Sequence, residues 1–260
     1  MQAWCINLDK RPERWSHMQA EAAKAGFAFE RVAAVDGSRP DIAAAAAAVP
    51  VGRLGMRMSA GAYGCFLSHR EAWSRLVASG DPWGLVTEDD LLLSPGLGAL
   101  MQPDWIPRDA DVVKVETRLV RAHVARKTET EIDGRRVARL LGSHIAAGCY
   151  MLSAATAARL LRETTEISDG VDHVLFDADF PFFPTACIYQ VSPAPSVQGS
   201  LWREFEVVPD WAHTSQTEHF VDAPPPESWK EGPIARARRR LREEAEARRL
   251  GSRYEVVPFR

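Results

Sequence analysis

Apolar positions along this chain fall into short blocks whose spacing switches between two periods. Ala3, Trp4, Cys5, Ile6 and Leu8 form a first apolar run that stops at Asp9-Lys10-Arg11-Pro12. Its length and its break predict a buried strand. Residues 13–24 are rich in polar positions and run up to Gly26, which predicts a helix with a glycine stop. Residues 27–32 alternate and predict a second strand. Strand, helix and strand at this spacing make a βα unit of an α/β protein. An alanine-rich segment at 41–49, with Asp41 near its start, favours helix, and 50–55 reads as a loop. Ser59 can cap a helix over 60–77 in which Cys65, His69, Ala72 and Leu76 share one stripe, with Phe66, Trp73 and Val77 beside it. Gly61 and Gly64 near its start permit close approach of backbone or ligand.

Next comes Trp83-Gly84-Leu85-Val86-Thr87, a short apolar run behind the Gly80-Asp81-Pro82 break, followed by Glu88-Asp89-Asp90 and then Leu91-Leu92-Leu93. A strand is predicted that ends in three carboxylates. Residues 111–116 alternate like another strand, with Glu116 at its end and Lys114 on the same face two residues earlier, where it is expected to pair with Glu116 and lower its basicity. Asp133-Gly134 between alternating runs predicts a hairpin, read as a surface excursion from the main sheet. Residues 143–153 read as a small-residue loop and a buried strand holding Tyr150. Ser153 caps a helix over 154–162, and 186–191 is a last strand ended by Pro193 and Pro195. From about 199 the character changes. Trp202, Trp211 and Trp229 are scattered among polar residues, Pro224-Pro225-Pro226 marks a linker, and 234–250 is a helix with seven Arg and three Glu. That basic helix either closes the domain in solvent or adheres to an anionic membrane surface. The division expected is therefore 1–200 as the main α/β domain and 201–260 as a C-terminal extension.

The 260 residues, 46% of them hydrophobic, suffice for a substantial core. A net charge of −3 gives no general reason to expect nucleic acid. No apolar run approaches a membrane span and the first residues lack a signal peptide's pattern, so a cytoplasmic protein is expected. Cys5, Cys65, Cys149 and Cys187 are far apart, show no zinc spacing, and read as reduced core residues.

Chemistry concentrates at the acidic triplet. It sits where open α/β sheets bind ligands, at a strand's C-terminal end. It is either a solvated acidic turn or a site for a hard divalent cation, Mg²⁺ or Mn²⁺, because adjacent carboxylates repel and lose hydration. Arg11 and Arg14, just past the first strand, either meet phosphates or begin a solvated helix. His69, on a packing stripe, reads first as a hydrogen-bonded core residue.

Four motifs occur in series: Ile6-Asn7-Leu8-Asp9 with Arg11 and Arg14; Ala34-Val35-Asp36-Gly37; Gly64-Cys65-Phe66-Leu67-Ser68-His69; and Glu88-Asp89-Asp90. Together they resemble glycosyltransferase family 25, the lipopolysaccharide glycosyltransferases related to bacterial β-1,4-galactosyltransferases and collagen galactosyltransferases. The resemblance runs over roughly residues 3–198. The chain departs from it at Ala62, where relatives often carry an acidic or amide residue, and in the alanine-rich segment. It implies a GT-A-like, Rossmann-type nucleotide-diphospho-sugar transferase fold with a mostly parallel central sheet. It also implies a UDP-sugar donor, most simply UDP-galactose, a Mn²⁺ or Mg²⁺ cofactor, and inversion at the anomeric carbon. Asp90, helped by Glu88 or Asp89, is the expected metal ligand. Asn7, Arg11, Arg14, Asp36, Ser68, His69, Glu88 and Asp89 are expected around the donor. The base that takes the acceptor proton is expected to be Asp172, in a segment similar to the family's, or else Glu116. The acceptor would be a glycan or lipid-linked glycan of lipopolysaccharide or another surface polymer, with peripheral membrane contact through the basic helix. Two other classes fit the residues: a non-catalytic sugar-nucleotide-binding paralogue, and a metal-dependent nucleotidyltransferase or phosphohydrolase using the same triplet.

Overall fold

A computed structural model describes residues 1–199 and 251–260, with the single positions 201, 245 and 249. In chain order the first half gives β1 (Gln2–Asn7), α1 (Pro12–Lys24), β2 (Glu30–Ala33), α2 (Pro40–Ala48), α3 (Ala60–Ser79), β3 (Trp83–Glu88) and β4 (Leu91–Leu93). Then follow β5 (Val112–Lys114), β6 (Glu116–Thr117), β7 (Arg121–Ala125), β8 (Thr130–Ile132) and β9 (Arg135–Arg139). The remainder is β10 (Cys149–Ser153), α4 (Ala154–Glu163), α5 (Val171–Phe176), β11 (Ile188–Ser192), β12 (Ser196–Gln198) and β13 (Ser252–Val256).

The caps follow local chemistry. Pro12 opens α1, where its missing N–H is no loss. Ser59 Oγ accepts from the Ala62 N–H at 3.0 Å and Ser153 Oγ from the Thr156 N–H at 3.1 Å, as their spacing predicts. Gly80 ends α3 at φ 77°.

Eight strands form the main sheet in the order β2-β1-β3-β10-β5-β11-β9-β8. The expectation of a mostly parallel sheet is corrected: β1–β2, β1–β3 and β5–β11 pair in parallel, while β3–β10, β10–β5, β11–β9 and β9–β8 are antiparallel. The sheet is mixed because β10 inserts between β3 and β5, whose directions agree. The Asp133-Gly134 hairpin also differs from expectation. It forms, with φ of 49° and 66° matching a type I′ turn, but it is the edge of the main sheet, not an excursion from it.

Successive residues of each strand enter opposite cores. Trp4, Ile6, Val86, Val112 and Tyr150 pack under α3 and α4. Ala3, Cys5, Leu85, Val113 and Met151 pack on the other face with Met18 of α1 and Leu97. The result is a three-layer α/β arrangement. The predicted strand over 111–116 is split at Val115: β5 stays in the main sheet and β6 joins β12 and β4 in a second one. Lys114 and Glu116 consequently stand at the same sheet end as Asn7 and Glu88.

The end of the expected C-terminal extension packs against the main α/β body. β13 pairs with β7, Val257 is fully buried, and Thr117 Oγ1 donates to the Val257 carbonyl at 2.5 Å. Residues 252–260 thus belong to the main body. The tryptophans, the proline linker and the basic helix expected over 202–250 lie outside the described residues, apart from positions 245 and 249. Among the described residues no helix is long and apolar enough to cross a membrane.

Candidate active site

The C-terminal ends of β1 and β3 border an open cleft of about 580 Å³. Lys10, Arg14, Asp36, Cys65 and the triplet Glu88-Asp89-Asp90 face it. Its floor depends on close packing of α3 against the loop after β2. A Cβ on Gly64 would stand 2.5 Å from the Val35 carbonyl oxygen, so only glycine lets the helix approach. Ser68 Oγ completes that junction, accepting from the Val35 N–H at 2.8 Å and donating to the Gly64 carbonyl at 2.7 Å. Ser68 lies on the cleft wall, but its hydroxyl is spent on scaffold.

The three triplet carboxylates have different surroundings. Asp89 is tied down: Asn7 Nδ2 donates to Oδ2 at 2.6 Å and Arg14 Nη1 to Oδ1 at 3.1 Å. Asn7 is itself clamped, accepting from Arg31 Nε at 2.8 Å and donating to the Arg11 carbonyl at 2.9 Å. It is a buried bracket behind the cleft. Burial raises the Asp89 carboxyl above its ordinary range, against the opposing pull of Arg14 and Asn7.

Asp90 is half-buried, but its Oδ1 is buried and has no hydrogen-bond partner among the described residues. Burial first and the Glu88 charge second push its pKa up to about 7, with Asp89 and Glu116 adding to the rise and Arg14 opposing it. An orphaned carboxylate oxygen beside other carboxylates is what a hard divalent cation compensates, so Asp90 with Glu88 fits Mn²⁺ or Mg²⁺. Glu88 takes a hydrogen bond on Oε1 from the buried His69 at 3.2 Å. The ligand-type atoms of Cys65, His69 and Glu88 lie within 4.8 Å of one another. Burial holds the Cys65 thiol well above its ordinary pKa, and both ring nitrogens of His69 have partners, so this group is a hydrogen-bonded cluster. Cys65 is thus a cleft-wall residue as well as a core one.

Asp36 behaves oppositely to Asp90. The Lys10 ammonium, 2.8 Å away, and the Ser38 N–H hold its carboxyl down at about 2. An ionised, solvent-facing carboxylate with a lysine beside it can meet sugar hydroxyls and phosphate respectively. Lys10 was not singled out from sequence; its place between a strand end and Pro12 was the only signal. Arg11 is not among the residues that line the cleft, and it pairs with Glu13 at 3.4 Å.

The two candidate bases sit on the β5–β10 side. Glu116 is completely buried. Its Oε2 accepts from Lys114 Nζ at 3.3 Å and from the Cys149 N–H at 3.1 Å, and its Oε1 has no partner. The Lys114 pairing was expected and is present, but its expected consequence is corrected. Burial outweighs it, raising Glu116 and lowering Lys114, so both are pushed toward neutral forms. Asp172 is partly exposed in the first turn of α5, whose N-cap is Gly170, so Asp172 is not the cap. Its charge acts on both Cys65, on the cleft wall, and Lys114.

A family model described as glycosyltransferase family 25 (LPS biosynthesis protein) matches residues 1–175. The chain belongs to glycosyltransferase family 25. The match takes in every candidate residue from Asn7 to Asp172. Among similar proteins, the lacto-N-neotetraose biosynthesis glycosyltransferase LgtB of Neisseria gonorrhoeae is 28% identical over 159 residues, 59% of this chain and 57% of that protein. The lipooligosaccharide biosynthesis protein lic2B of Haemophilus influenzae is 23% identical over 210 residues, 76% of this chain and 77% of that one. A glycosyltransferase 25 family member of Drosophila pseudoobscura pseudoobscura is 33% identical over 103 residues, 35% of this chain and 16% of that protein. The chain therefore spans little more than half of LgtB.

Proposed function

We propose that this chain is a metal-dependent inverting glycosyltransferase that moves a hexose, most simply galactose, from a UDP-sugar to a lipopolysaccharide or other surface-glycan acceptor. The observation that carries this reading is the split within the triplet. Asp89 is anchored on both oxygens, whereas Asp90 keeps a buried, unpartnered oxygen at the rim of a cleft that also holds Lys10, Arg14 and the ionised Asp36. Asp90 and Glu88 would hold Mn²⁺ or Mg²⁺, which when bound offsets the negative charge of the donor diphosphate and of the departing UDP. Asp36 accepts hydrogen bonds from donor hydroxyls, and Lys10 brings a cation to the phosphates. Asp172 takes the acceptor hydroxyl proton while the acceptor oxygen bonds to the anomeric carbon from the face opposite UDP. The bond from that carbon to the UDP oxygen breaks in the same step, inverting the centre. Glu116 is the alternative base, and its raised pKa and burial suit it less to an incoming acceptor. The acceptor, a glycan or lipid-linked glycan, approaches from the Asp172 side.

A screen of UDP-sugars with and without Mn²⁺, read by UDP release in the presence of truncated lipooligosaccharide acceptors, tests this. Mn²⁺-dependent UDP release with one donor is expected. Release of pyrophosphate would indicate nucleotidyl transfer, and UDP binding without turnover would indicate a non-catalytic paralogue.

A further inference from the structure

Three buried side chains stand in line behind Glu88. The indole N–H of Trp73, on α3, lies 2.8 Å from the phenol oxygen of Tyr150, on β10. The same oxygen lies 2.8 Å from Nδ1 of His69. Nε2 of His69 lies 3.2 Å from Oε1 of Glu88. Trp73, Tyr150 and His69 are all 0% exposed, and the His69 and Tyr150 rings stack at 5.8 Å and 17°.

The donors and acceptors of this line have one consistent order. An indole N–H only donates, so the Tyr150 oxygen accepts from Trp73. Burial holds the Tyr150 phenol well above its ordinary pKa, so it keeps its proton. That proton has one acceptor among the described residues, Nδ1 of His69. Nδ1 is then bare, the ring proton is on Nε2, and it points at Glu88. In the reverse order the phenol proton would be buried without an acceptor, which proteins avoid.

We propose that Trp73, Tyr150 and His69 form a one-way hydrogen-bond relay that clamps Oε1 of Glu88, making His69 a positioning residue for the carboxylates of the cleft. This rests on the reading of Glu88 and Asp90 as the pair that faces the donor diphosphate. A side chain at position 88 feels repulsion from Asp90 and Glu116. A fixed donor from the helix side holds it in one rotamer against that repulsion. The Cys65 thiol, 3.7 Å from the same oxygen, is a second and weaker donor. The relay also explains why Cys65, His69 and Glu88 cluster without forming a soft-metal site: Nε2 carries a proton.

The test uses the full chain labelled with ¹⁵N-histidine, with NMR reporting the His69 tautomer. The Nε2–H form is expected, and Tyr150→Phe should release it into a mixture. His69→Gln retains an N–H near the Nε2 position, whereas His69→Asn retains only the polar group facing Tyr150. His69→Asn should lose about 10–100-fold in Mn²⁺ affinity, measured by titration of the protein alone, and in kcat/KM; His69→Gln should recover most of both. An Nδ1–H tautomer overturns the proposal. So do equal losses in Gln and Asn that track their thermal melting, which would make His69 plain core packing. Stoichiometric Zn²⁺ binding abolished by Cys65→Ser would overturn it as well. If no UDP-sugar is turned over by any form, the tautomer and the Mn²⁺ titration still decide the relay, so its failure is separable from failure of the transferase reading.

Discussion

Asp89 and Asp90 are adjacent in sequence and both largely withdrawn from solvent, yet they belong to two differently built corners. On the α1 side, Asp89 accepts from Asn7 and Arg14, and Asn7 is held in turn by Arg31. Each carboxylate oxygen there has a partner. By contrast, Asp90 Oδ1, and toward β5 and β10 Glu116 Oε1 and His144 Nε2, are buried with no partner among the described residues. A folded chain leaves few buried polar atoms unsatisfied, and the Asp90 oxygen, on a residue that lines the cleft, marks a place where something other than protein fits. On the proposed reading the α1 corner is scaffold that fixes the β3 terminus, and the opposite corner would carry the chemistry.

The sharpest break in this comparison should come at Asp172. Asp172→Asn keeps the size of a side chain in the first turn of α5 but cannot take a proton. On the proposed reading kcat falls by about 10²–10⁴ while UDP-sugar and Mn²⁺ affinities stay near those of the parent. If donor or metal affinity falls along with kcat, Asp172 belongs with the metal-facing carboxylates, and Glu116→Gln should then show the clean kcat loss. Asp90→Asn is expected to lose activity on the order of 10²-fold or more, because the charge that faces the metal is gone. Its melting temperature without metal should hold or rise, since a buried charge repelled by Glu88 has been removed. Near-normal Mn²⁺-dependent turnover in this variant would put the metal elsewhere.

Asp89→Asn should reverse that pattern. It removes the carboxylate charge paired with Arg14, whose side chain is only 6% exposed. Breaking a pair this buried costs about 3 kcal/mol, which for a chain of this size lowers the melting temperature by roughly 6–12 °C. Activity per folded molecule should fall less than in Asp90→Asn. Equal stability in the two asparagine variants, measured by calorimetry, would erase the distinction between the corners.

The α1 corner was far more legible in the sequence than the other. β1, α1, α3 and β3 announce themselves through apolar runs, Pro12, Ser59 and Gly80, and the triplet lies where a strand end must be. The division of labour within the triplet was not legible, because it depends on Asn7 and Arg14 reaching across some eighty positions of chain. The mixed sheet was missed for a related reason. β10 reads as an apolar strand, and nothing in an apolar strand states its direction when both neighbours are hidden. The return of β13 was hidden behind a long polar stretch, although Tyr254, Val256 and Val257 carry strand-forming character. Tyr150 was noted as a strand residue, but its link to His69 and Trp73 exists only once β10 lies beside β3 under α3. Glu116 and Lys114 were paired correctly from their spacing. Their burial was not foreseen, and burial decides their protonation.

The smallest expected effect tests whether the β5–β10 corner is sealed from water at all. His144 is 1% exposed, hydrogen-bonded through Nδ1 to Gln190 Oε1 at 2.9 Å, and unpartnered at Nε2. Burial, reinforced by the Lys114 charge, lowers its pKa to about 3. In the unfolded chain it titrates near 6.5. Between those values the unfolded state binds the extra proton, so the stabilising contribution is complete above about pH 6.5 and is lost as the pH falls toward 3. His144→Asn retains an N–H for Gln190 and does not titrate in that window. The variant should melt slightly below the parent at pH 7.5, because of the smaller side chain. Its melting temperature should then fall less steeply between pH 6.5 and 4, so that the two curves converge on acidification. Parallel curves would mean that His144 titrates as it does in water. The same water would then reach Glu116 Oε1 and Asp90 Oδ1, and the second corner would be a hydrated surface instead of a site waiting for a ligand.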